Sequence, residues 1–412
     1  KSNVSILNIY DFDDYPVFAD ATTYPLIFEF QKCEMKGYFK FSKIDKKIKG
    51  IPLEVLKNNE FLVAKDSLHN DGEWNFINKD LQKVFNKINT NSITLGEYVD
   101  KKVYLGIKTG KNEAFIVPGK TKDEIINKNF VSKEIILPVA TGKEIRRYRF
   151  DDGDKFLLFT QYDLDIPKQY PSVFEWLTKF EDDLIKRGDK GKNWWNLRPC
   201  DYYDKIQKPK IIWRSITNEC GFYLDEDGSL LLSNNNYFIA SDNPALIGVL
   251  NSKLAFTFLK NICTTLQGGF YDFRRDKVLT IPIPNTIDSN KYLGETVLSI
   301  QKSHKANELI KNKFSNYLQA QFSIEKLSTK LEKWHELEFG EFIKELNKAI
   351  KKAGEEKLSK MDEMEWMDVF ETKKAEAQNL KAEIDKTDAE IDAMVYELYG
   401  LSEEEIQIIE NN

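Results

Sequence analysis

The spacing of apolar residues changes near Leu293, and this change divides the chain into a mixed region and a helical region. From there the pattern repeats at steps of three and four, which is the period of an amphipathic helix. The first series is Leu293, Val297, Ile300, His304, Ile310, Phe314, Leu318 and Phe322, and the second is Leu380, Ile384, Ile391, Val395 and Leu398. We predict an antiparallel helix pair within a helical tail, residues 289–412, with the segment near Phe339–Ile350 between the two helices.

The opposite end of the chain is rich in strand-forming residues. ILNIYDF and TTYPLIFEF, both within residues 1–32, read as two β-strands. Two strands cannot form a stable core alone, so we interpret them as the last strands of a domain whose beginning is missing. Residues 33–100 are mixed and rich in turns, and Ile93–Asp100 predicts a short helix that leads into the next domain.

Further local patterns predict helices over Pro171–Arg187 and Asn243–Cys263, with Asp242 as the cap of the second. A short strand is predicted over Val278–Pro282, and Ser402 with Glu405 three residues later predicts the start of a last helix.

Charge is distributed unevenly along the 412 residues. The net charge is −6, and a chain of this length is expected to form two or three domains. Residues 101–288 hold 29 Lys and Arg against 25 Asp and Glu, whereas residues 289–412 hold 18 against 26. The middle segment is therefore basic, which is the local electrostatic footprint of a surface that binds an anionic partner.

The cysteines and histidines are scattered and show no metal-ligand spacing. The four cysteines include no Cys-x-x-Cys pair, and the three histidines lie far apart, so we predict no metal site. No apolar run approaches the length of a membrane span, and no signal peptide is recognisable. These features predict a cytoplasmic protein with reduced thiols and no membrane partner.

The stretch YLGIKTGKNEAF, residues 104–115, predicts a strand that enters a turn bracketed by glycines. Such a turn frees backbone N–H groups and brings two ammonium groups to one tip, which suits a phosphate backbone. An ordinary solvated hairpin turn is the alternative interpretation. The candidate DNA-binding residues in this turn are Lys108, Thr109, Lys111 and Asn112.

Four further stretches combine basic and aromatic residues: GKEIRRYRF, NWWNLRP, KIIWRSI and GGFYDFRRDKVLTIPIP. In the first, Arg146 and Arg147 are candidates for phosphate contacts, with a solvated surface as an equal alternative. On a single strand Arg147 and Arg149 would share a face and Arg146 would lie on the other. In the second, at least one of the two tryptophans is expected in the core, and Arg198 can fork onto a guanine edge.

Amides and glycines supply the remaining candidates. Asn234 and Asn235 precede a strand and can read adenine in the major groove, but an asparagine run is also typical of a turn, which is the safer interpretation. A second loop contains Gly268 and Gly269, where a backbone can approach DNA closely. The candidates around this loop are Gln267, Tyr271, Arg274 and Arg275.

These motifs, in this order and with the closing VYELYGL, resemble the TaqI-like C-terminal specificity domain of adenine-N6 DNA methyltransferases of the fused type IIG restriction–modification kind. The resemblance runs from about Val17 to the end. It implies an α+β chain with three parts. Residues 1–100 would be the last strands of a methyltransferase-type sheet plus a linker, residues 101–288 a mixed α/β target recognition domain, and residues 289–412 the helical tail.

The resemblance implies a binding part of an enzyme rather than a complete enzyme. Such methyltransferases need a glycine-rich loop for S-adenosylmethionine and an Asn/Asp-Pro-Pro-aromatic loop, and the nearest string here is Asn243-Pro244-Ala245. The fragment is therefore expected to bind no cofactor and to be inactive alone, with S-adenosylmethionine bound by the parent enzyme. The implied partners are double-stranded DNA and an N-terminal methyltransferase domain of the same chain, and a nuclease domain is left open.

One part of the catalytic site is implied to survive. In the resembling enzymes an aromatic residue stacks on the adenine that is flipped out of the duplex, and YPVFADATTY puts that role on Phe18. Packing of Phe18 in the core at a sheet edge is the alternative. Where the family usually has a lysine after this aromatic, the chain has Ala21 and Thr22, which puts a phosphate contact at that point in doubt.

Two other functions stay open at this point. The first is a free-standing specificity subunit of the type I kind that recruits methyltransferase or nuclease subunits through its helices. The strand-rich opening PVFADATTYPLIFEF argues against it. The second is an interaction protein whose helical tail binds another protein, and absence of DNA binding at low salt would favour it.

Overall fold

Strands and helices alternate up to residue 284, and the described residues beyond it form only helices. The computed structural model describes residues 4–12, 15, 17–18, 24–33, 37–43, 60–64, 68, 74, 76–266 and 268–412. The chain divides into two units: residues 1–290 with 394–412, and residues 291–393. The predicted α+β class, with several small sheets and a helical C-terminal region, is confirmed.

The described strands are short, and most have between two and six residues. They are β1 Ser5–Asp11, β2 Leu26–Gln31, β3 Tyr38–Lys43, β4 Glu60–Ala64, β5 Ser92–Thr94, β6 Val103–Leu105, β7 Ile116–Pro118, β8 Ile136–Ala140, β9 Ile145–Arg146, β10 Arg149–Phe150, β11 Lys155–Leu158, β12 Lys210–Arg214, β13 Ile216–Thr217, β14 Phe222–Asp225, β15 Leu231–Leu232, β16 Asn236–Ile239, β17 Thr265–Leu266, β18 Phe270–Asp272 and β19 Pro282–Pro284.

The described helices are short in the first unit and long in the second. They are α1 Lys79–Thr90, α2 Leu95–Tyr98, α3 Asn112–Phe115, α4 Gly119–Lys128, α5 Ile166–Gln169, α6 Pro171–Thr178, α7 Glu181–Lys186, α8 Tyr203–Ile206, α9 Pro244–Asn251, α10 Lys253–Ile262, α11 Arg275–Val278, α12 Lys291–Gln321, α13 Thr329–Glu332, α14 Phe339–Lys352, α15 Lys360–Leu398 and α16 Glu403–Glu410.

The N-terminal sheet has the order β2–β1–β3–β4 and confirms the two strands predicted in residues 1–32. β1 runs antiparallel to β2 and parallel to β3. Its small core consists of Ile9, Phe39, Phe41 and Val63. β2 at the edge is exposed along its whole length, and Phe30 is 67% exposed.

Two four-stranded sheets position the candidate site. One has the order β14–β12–β16–β6 and the other β15–β8–β11–β7. The chain passes from one to the other after β6: Gly106 donates its amide to the carbonyl of Asn236 at 2.9 Å, and Ile107 donates to Leu232 at 2.6 Å. A Cβ on Gly106 would lie 2.0 Å from the carbonyl oxygen of Ser233, so only glycine fits at this crossing.

Two helices predicted as continuous are each split. The predicted helix over Pro171–Arg187 is α6 followed by α7, and that over Asn243–Cys263 is α9 followed by α10. In the second case the chain leaves the helical conformation at Ser252, whose hydroxyl accepts the amide of Ala255 at 3.1 Å. A serine that caps the next helix therefore ends the first one.

Two local predictions are wrong. Asn243, not Asp242, caps α9, because the Asn243 side chain accepts the amide of Ala245 at 3.0 Å. The segment Val278–Pro282 is not a strand. Instead α11 ends at Val278, and β19 begins at Pro282 and pairs with β5.

The second unit is helical, as the change of period predicted. Its core is built mainly from aromatic residues: Trp334, Phe342 and Phe370 are buried, and Phe342 stacks on Phe370 with ring centroids 4.4 Å apart. The first and last parts of this unit are joined by a hydrogen bond, in which Tyr292 of α12 donates its hydroxyl to Glu390 of α15 at 2.6 Å. α14 lies between the two long helices in sequence, at the predicted position.

Residues 394–412 belong to the first unit. Tyr399 donates its hydroxyl to the carbonyl of Pro282 at 2.6 Å, and Lys87 pairs with Glu405 at 2.5 Å. The predicted capping of the last helix by Ser402 and Glu405 is confirmed. The boundaries 1–100, 101–288 and 289–412 stay predictions.

Candidate nucleic-acid interface

Asn234 and Asn235 form an exposed turn, as the safer interpretation predicted. We call it the asparagine turn. It joins β15 to β16, and the buried Asn236 fixes its base by donating to the carbonyl of Ala140 at 2.9 Å. The side chain of Asn235 reaches the carbonyl of Thr141 at 3.4 Å, while Asn234 is exposed. The turn therefore presents amides on a rigid base.

On one side of the asparagine turn, Lys108 and Arg198 meet at one carboxylate. Lys108 Nζ lies 2.7 Å from Asp189 Oδ2, and Arg198 Nη1 lies 3.3 Å from Asp189 Oδ1. The hydrogen bond from Lys108 holds the pKa of Asp189 below its usual range. We call these three residues the Asp189 cluster. The structure thus brings together two candidates that the sequence left separate.

The buried residue Arg187 holds the backbone segments around this cluster together. It was not among the candidates predicted from the sequence. Arg187 is 7% exposed, and its guanidinium carbon lies 4.5 Å from the ring centroid of Phe115. It donates to the carbonyl of Thr109, and also to those of Trp194 at 2.8 Å and Asn196 at 2.9 Å. One buried side chain therefore joins the turn that carries Lys108 to the loop before Arg198.

The turn after β6 is a crossing between sheets and not a hairpin, because β6 and β7 lie in different sheets. Thr109 is buried, and its hydroxyl donates to Asn112 Oδ1 at 2.6 Å. These two residues therefore shape the turn in this structure. Lys111 lies at the surface and pairs with Asp183 at 2.7 Å.

On the other side, GKEIRRYRF forms a hairpin and not the single strand considered above. β9 pairs with β10 so that Arg146 lies opposite Arg149, and Tyr148 takes the left-handed φ of 60° in the turn. Both arginines approach Asp151, at 3.6 Å and 2.8 Å. The predicted placement of Arg147 and Arg149 on one face of a strand, with Arg146 on the other, is therefore wrong. We call residues 145–150 the arginine hairpin. Arg147 lies in its turn, 5.5 Å from the Tyr148 ring centroid.

Arg214 links the arginine hairpin to the asparagine turn and was also missed. Its Nη2 lies 3.5 Å from Glu219 Oε1, the atom that Arg146 reaches at 3.0 Å. Burial lowers the pKa of Arg214. Arg214 lies opposite Asn236 in the β12–β16 register, and the next residue, Ser215, donates its amide to the carbonyl of Asn235 at 3.1 Å. The hairpin and the turn are therefore neighbours.

A third segment, the hairpin of β17 and β18, joins the same surface through β13. Its turn includes Gly268 and Gly269, both with a left-handed φ, and Tyr271 pairs with Thr217 in β13. Arg274 is exposed and pairs with Asp272. The candidate Gln267 lies outside the described residues.

Arg275 points toward a different neighbour. Its guanidinium donates to the carbonyl of Lys101 at 3.3 Å, and its side chain is exposed. Short contacts link the asparagine turn to the other candidate segments, so the described candidates form one linked surface. Ile107 pairs with Ser233 beside the Asp189 cluster, Arg214 lies opposite Asn236 beside the arginine hairpin, and Ser215 accepts the amide of Phe273 at 2.6 Å beside the β17–β18 hairpin.

Comparison with known protein families identifies this part of the chain. Residues 137–283 match the family model of the TaqI-like C-terminal specificity domain. The resemblance predicted from the sequence is confirmed over this stretch, which contains the asparagine turn and the arginine hairpin. Residues 286–395 match a domain of unknown function, DUF8810. A search of curated proteins found no match.

Two solved structures are similar to the chain. One is the type IIL restriction–modification enzyme MmeI in complex with DNA, with 15% identity, 92% of this chain and 46% of that chain covered, and a TM-score of 0.46. The other is the type IIG restriction endonuclease BpuSI, with 12% identity, 96% and 44% covered, and a TM-score of 0.38. The chain spans less than half the length of either protein.

Outside the specificity domain, Phe18 is 58% exposed. It is therefore not a core residue among the described parts of the N-terminal sheet, and its stacking role stays a prediction. Ala21 and Thr22 lie outside the described residues. Within the described ranges, no three His, Cys, Asp or Glu side chains are placed to hold a metal ion, and no helix is both long and apolar enough to cross a membrane.

Proposed function

We propose that this chain recognises a specific sequence in duplex DNA as part of a restriction–modification system. The observation that carries the proposal is the surface just described, most of which lies in the TaqI-like specificity domain. Exposed amides on a rigid turn suit base edges, and flanking arginines and lysines suit phosphates. The basic middle segment supports the same conclusion.

The ion pairs on this surface bear on specificity. The described cations Lys108, Lys111, Arg146 and Arg274 each have a carboxylate partner. Such pairs hold long side chains in defined positions and reduce the net positive potential. A surface of this kind binds non-specific DNA weakly and depends more on correct contacts with bases.

We infer that the DNA is delivered to an adenine-N6 methyltransferase domain, with S-adenosylmethionine as methyl donor, that precedes the described sheet. The Asn243 string does not suit a catalytic loop. Its amide caps α9 and donates to Asp288 at 2.8 Å, so it is engaged in holding the fold. When bound to that domain, S-adenosylmethionine would supply the methyl group. This chain would bind and orient the DNA in the cytoplasm.

The exposed edge strand β2 is an argument for a further domain that packs over this strand. Leu26, Ile27, Phe28 and Phe30 are each at least 40% exposed. An apolar edge strand of this kind is normally paired or covered. We infer that the catalytic domain of the same parent chain covers it.

The test is selection of binding sites from a random duplex library, followed by affinity measurements across a salt series. We expect one enriched sequence and a falling log affinity with log salt, with a slope of about −0.9 per phosphate contact. Asn234→Ala with Asn235→Ala should relax selection at a base pair, at about 1–3 kcal/mol. Asn86→Ala, an exposed change on α1, is the matched control. No enrichment and no binding at low salt would overturn the proposal.

A further inference from the structure

We propose that Asp189 is a built-in competitor for a DNA phosphate, which holds Lys108 and Arg198 ready and weakens binding to unrelated DNA. The inference rests on the proposed function and names a binding site within it. In the described structure, one carboxylate bridges the two cations through its two different oxygens, at 2.7 Å and 3.3 Å. A phosphate with two free oxygens can bridge the same cations in the same way.

The cluster is accessible to such a ligand. The side chains of Lys108, Arg198 and Asp189 are 51%, 43% and 31% exposed. Lys108 follows directly from the base of the asparagine turn, because Ile107 forms a β-bridge with Ser233, and Asp189 joins Arg198 to Lys108. A duplex read by the asparagine turn would therefore have its backbone near the cluster.

The backbone segments that carry the two cations do not depend on Asp189. Arg187 ties the Lys108 turn to the loop before Arg198 through three backbone carbonyls. The turn is further restricted at Gly110, where φ is +73° and an added Cβ would lie 2.9 Å from Arg187 Cδ. Loss of the Asp189 charge should thus leave the frame intact and free both cations.

Because the backbone around the two cations does not depend on Asp189, removing the Asp189 charge should raise the affinity for DNA and not lower it. A phosphate that enters between Lys108 and Arg198 must displace the Asp189 carboxylate and then remain close to its negative charge. Two like charges about 4 Å apart repel measurably even in water. Asp189→Asn keeps the side-chain shape and removes that repulsion, so it should tighten duplex binding about fivefold at low salt.

The experiment compares four proteins on an unrelated duplex and on the selected duplex over a salt series. They are the wild type, Asp189→Asn, Asp80→Asn and a triple variant that adds Lys108→Gln and Arg198→Gln to Asp189→Asn. Asp80 pairs with the exposed Lys83 on α1, so it matches the change in net charge elsewhere. Circular dichroism and thermal melting check the fold of each variant.

We expect Asp189→Asn alone to bind more tightly, with a salt slope steeper by up to about 0.9. Asp80→Asn should bind like the wild type, and the triple variant should lose the gain. Unchanged or weaker binding by Asp189→Asn, or an equal gain with Asp80→Asn, would overturn this inference while wild-type binding upheld the proposed function. Absence of duplex binding by the wild type would overturn both.

Discussion

Replacing Arg187 by methionine should open one end of the candidate interface without touching the DNA-facing groups. Methionine fills much of the same space beside Phe115 but donates no hydrogen bond. The carbonyls of Thr109, Trp194 and Asn196 would all lose the donor that Arg187 provides. The Lys108 turn and the loop before Arg198 would then no longer be joined there.

The magnitude follows mainly from two of those carbonyls, Thr109 and Trp194, because the Asn196 carbonyl keeps the amide of Gly191 at 3.2 Å. Each buried carbonyl left without a donor costs about 1–3 kcal/mol. Part of this is offset, because burial lowers the pKa of Arg187 to about 10 and the variant no longer buries a cation. A net local destabilisation of about 2 kcal/mol remains, which corresponds to about a thirtyfold loss of protection.

Hydrogen–deuterium exchange read by mass spectrometry tests this locally. Peptides covering 106–115 and 188–198 should exchange about thirtyfold faster in Arg187→Met, and duplex affinity should fall about tenfold. Lys83→Met, at an exposed site on α1, is the control and should leave both peptides and the duplex affinity unchanged. If Arg187→Met exchanged and bound DNA like the wild type, Arg187 would not hold the interface.

Three further results are expected. Phe18→Ala should leave the melting temperature of this chain unchanged because Phe18 is 58% exposed, yet slow methyl transfer in the full-length parent; a clear loss of stability would argue for a core role. Lys210→Met should destabilise the fold by about 3–5 kcal/mol in urea unfolding, because it leaves Asp225 buried without its cation, and adding Asp225→Asn should restore part of that loss. Arg274→Ala or Arg275→Ala should change the preferred base at one position in site selection; an unchanged sequence for both would limit them to phosphate contacts or the surface.

The sequence predicted features that depend on neighbours along the chain. The helical period after Leu293, the strands in residues 1–32 and the cap at Ser402 all arise from local patterns, and the structure has each of them. The asparagine turn is of the same kind. Even the split at Ser252 carried a local signal, since serine before a helical segment is a typical N-cap.

Features that depend on distant contacts were not predictable. Arg187 gains its role from carbonyls on two separate loops, and nothing in the residues beside it indicates them. Arg146 and Arg149 face each other because Tyr148 adopts a left-handed φ, which is uncommon for such a residue. Asp189 likewise joins Lys108 and Arg198 only once the sheets have formed.

In the sequence, the second unit is an insertion into the first, which continues at residue 394. Its first and last segments lie next to each other, joined by the hydrogen bond from Tyr292 to Glu390. An insert whose ends lie together can be shortened, lost or exchanged as a block while the host domain keeps its own core. The helical block and the first unit can therefore be changed separately, and a short loop in place of residues 291–393 is a practical design for studying the first unit without it.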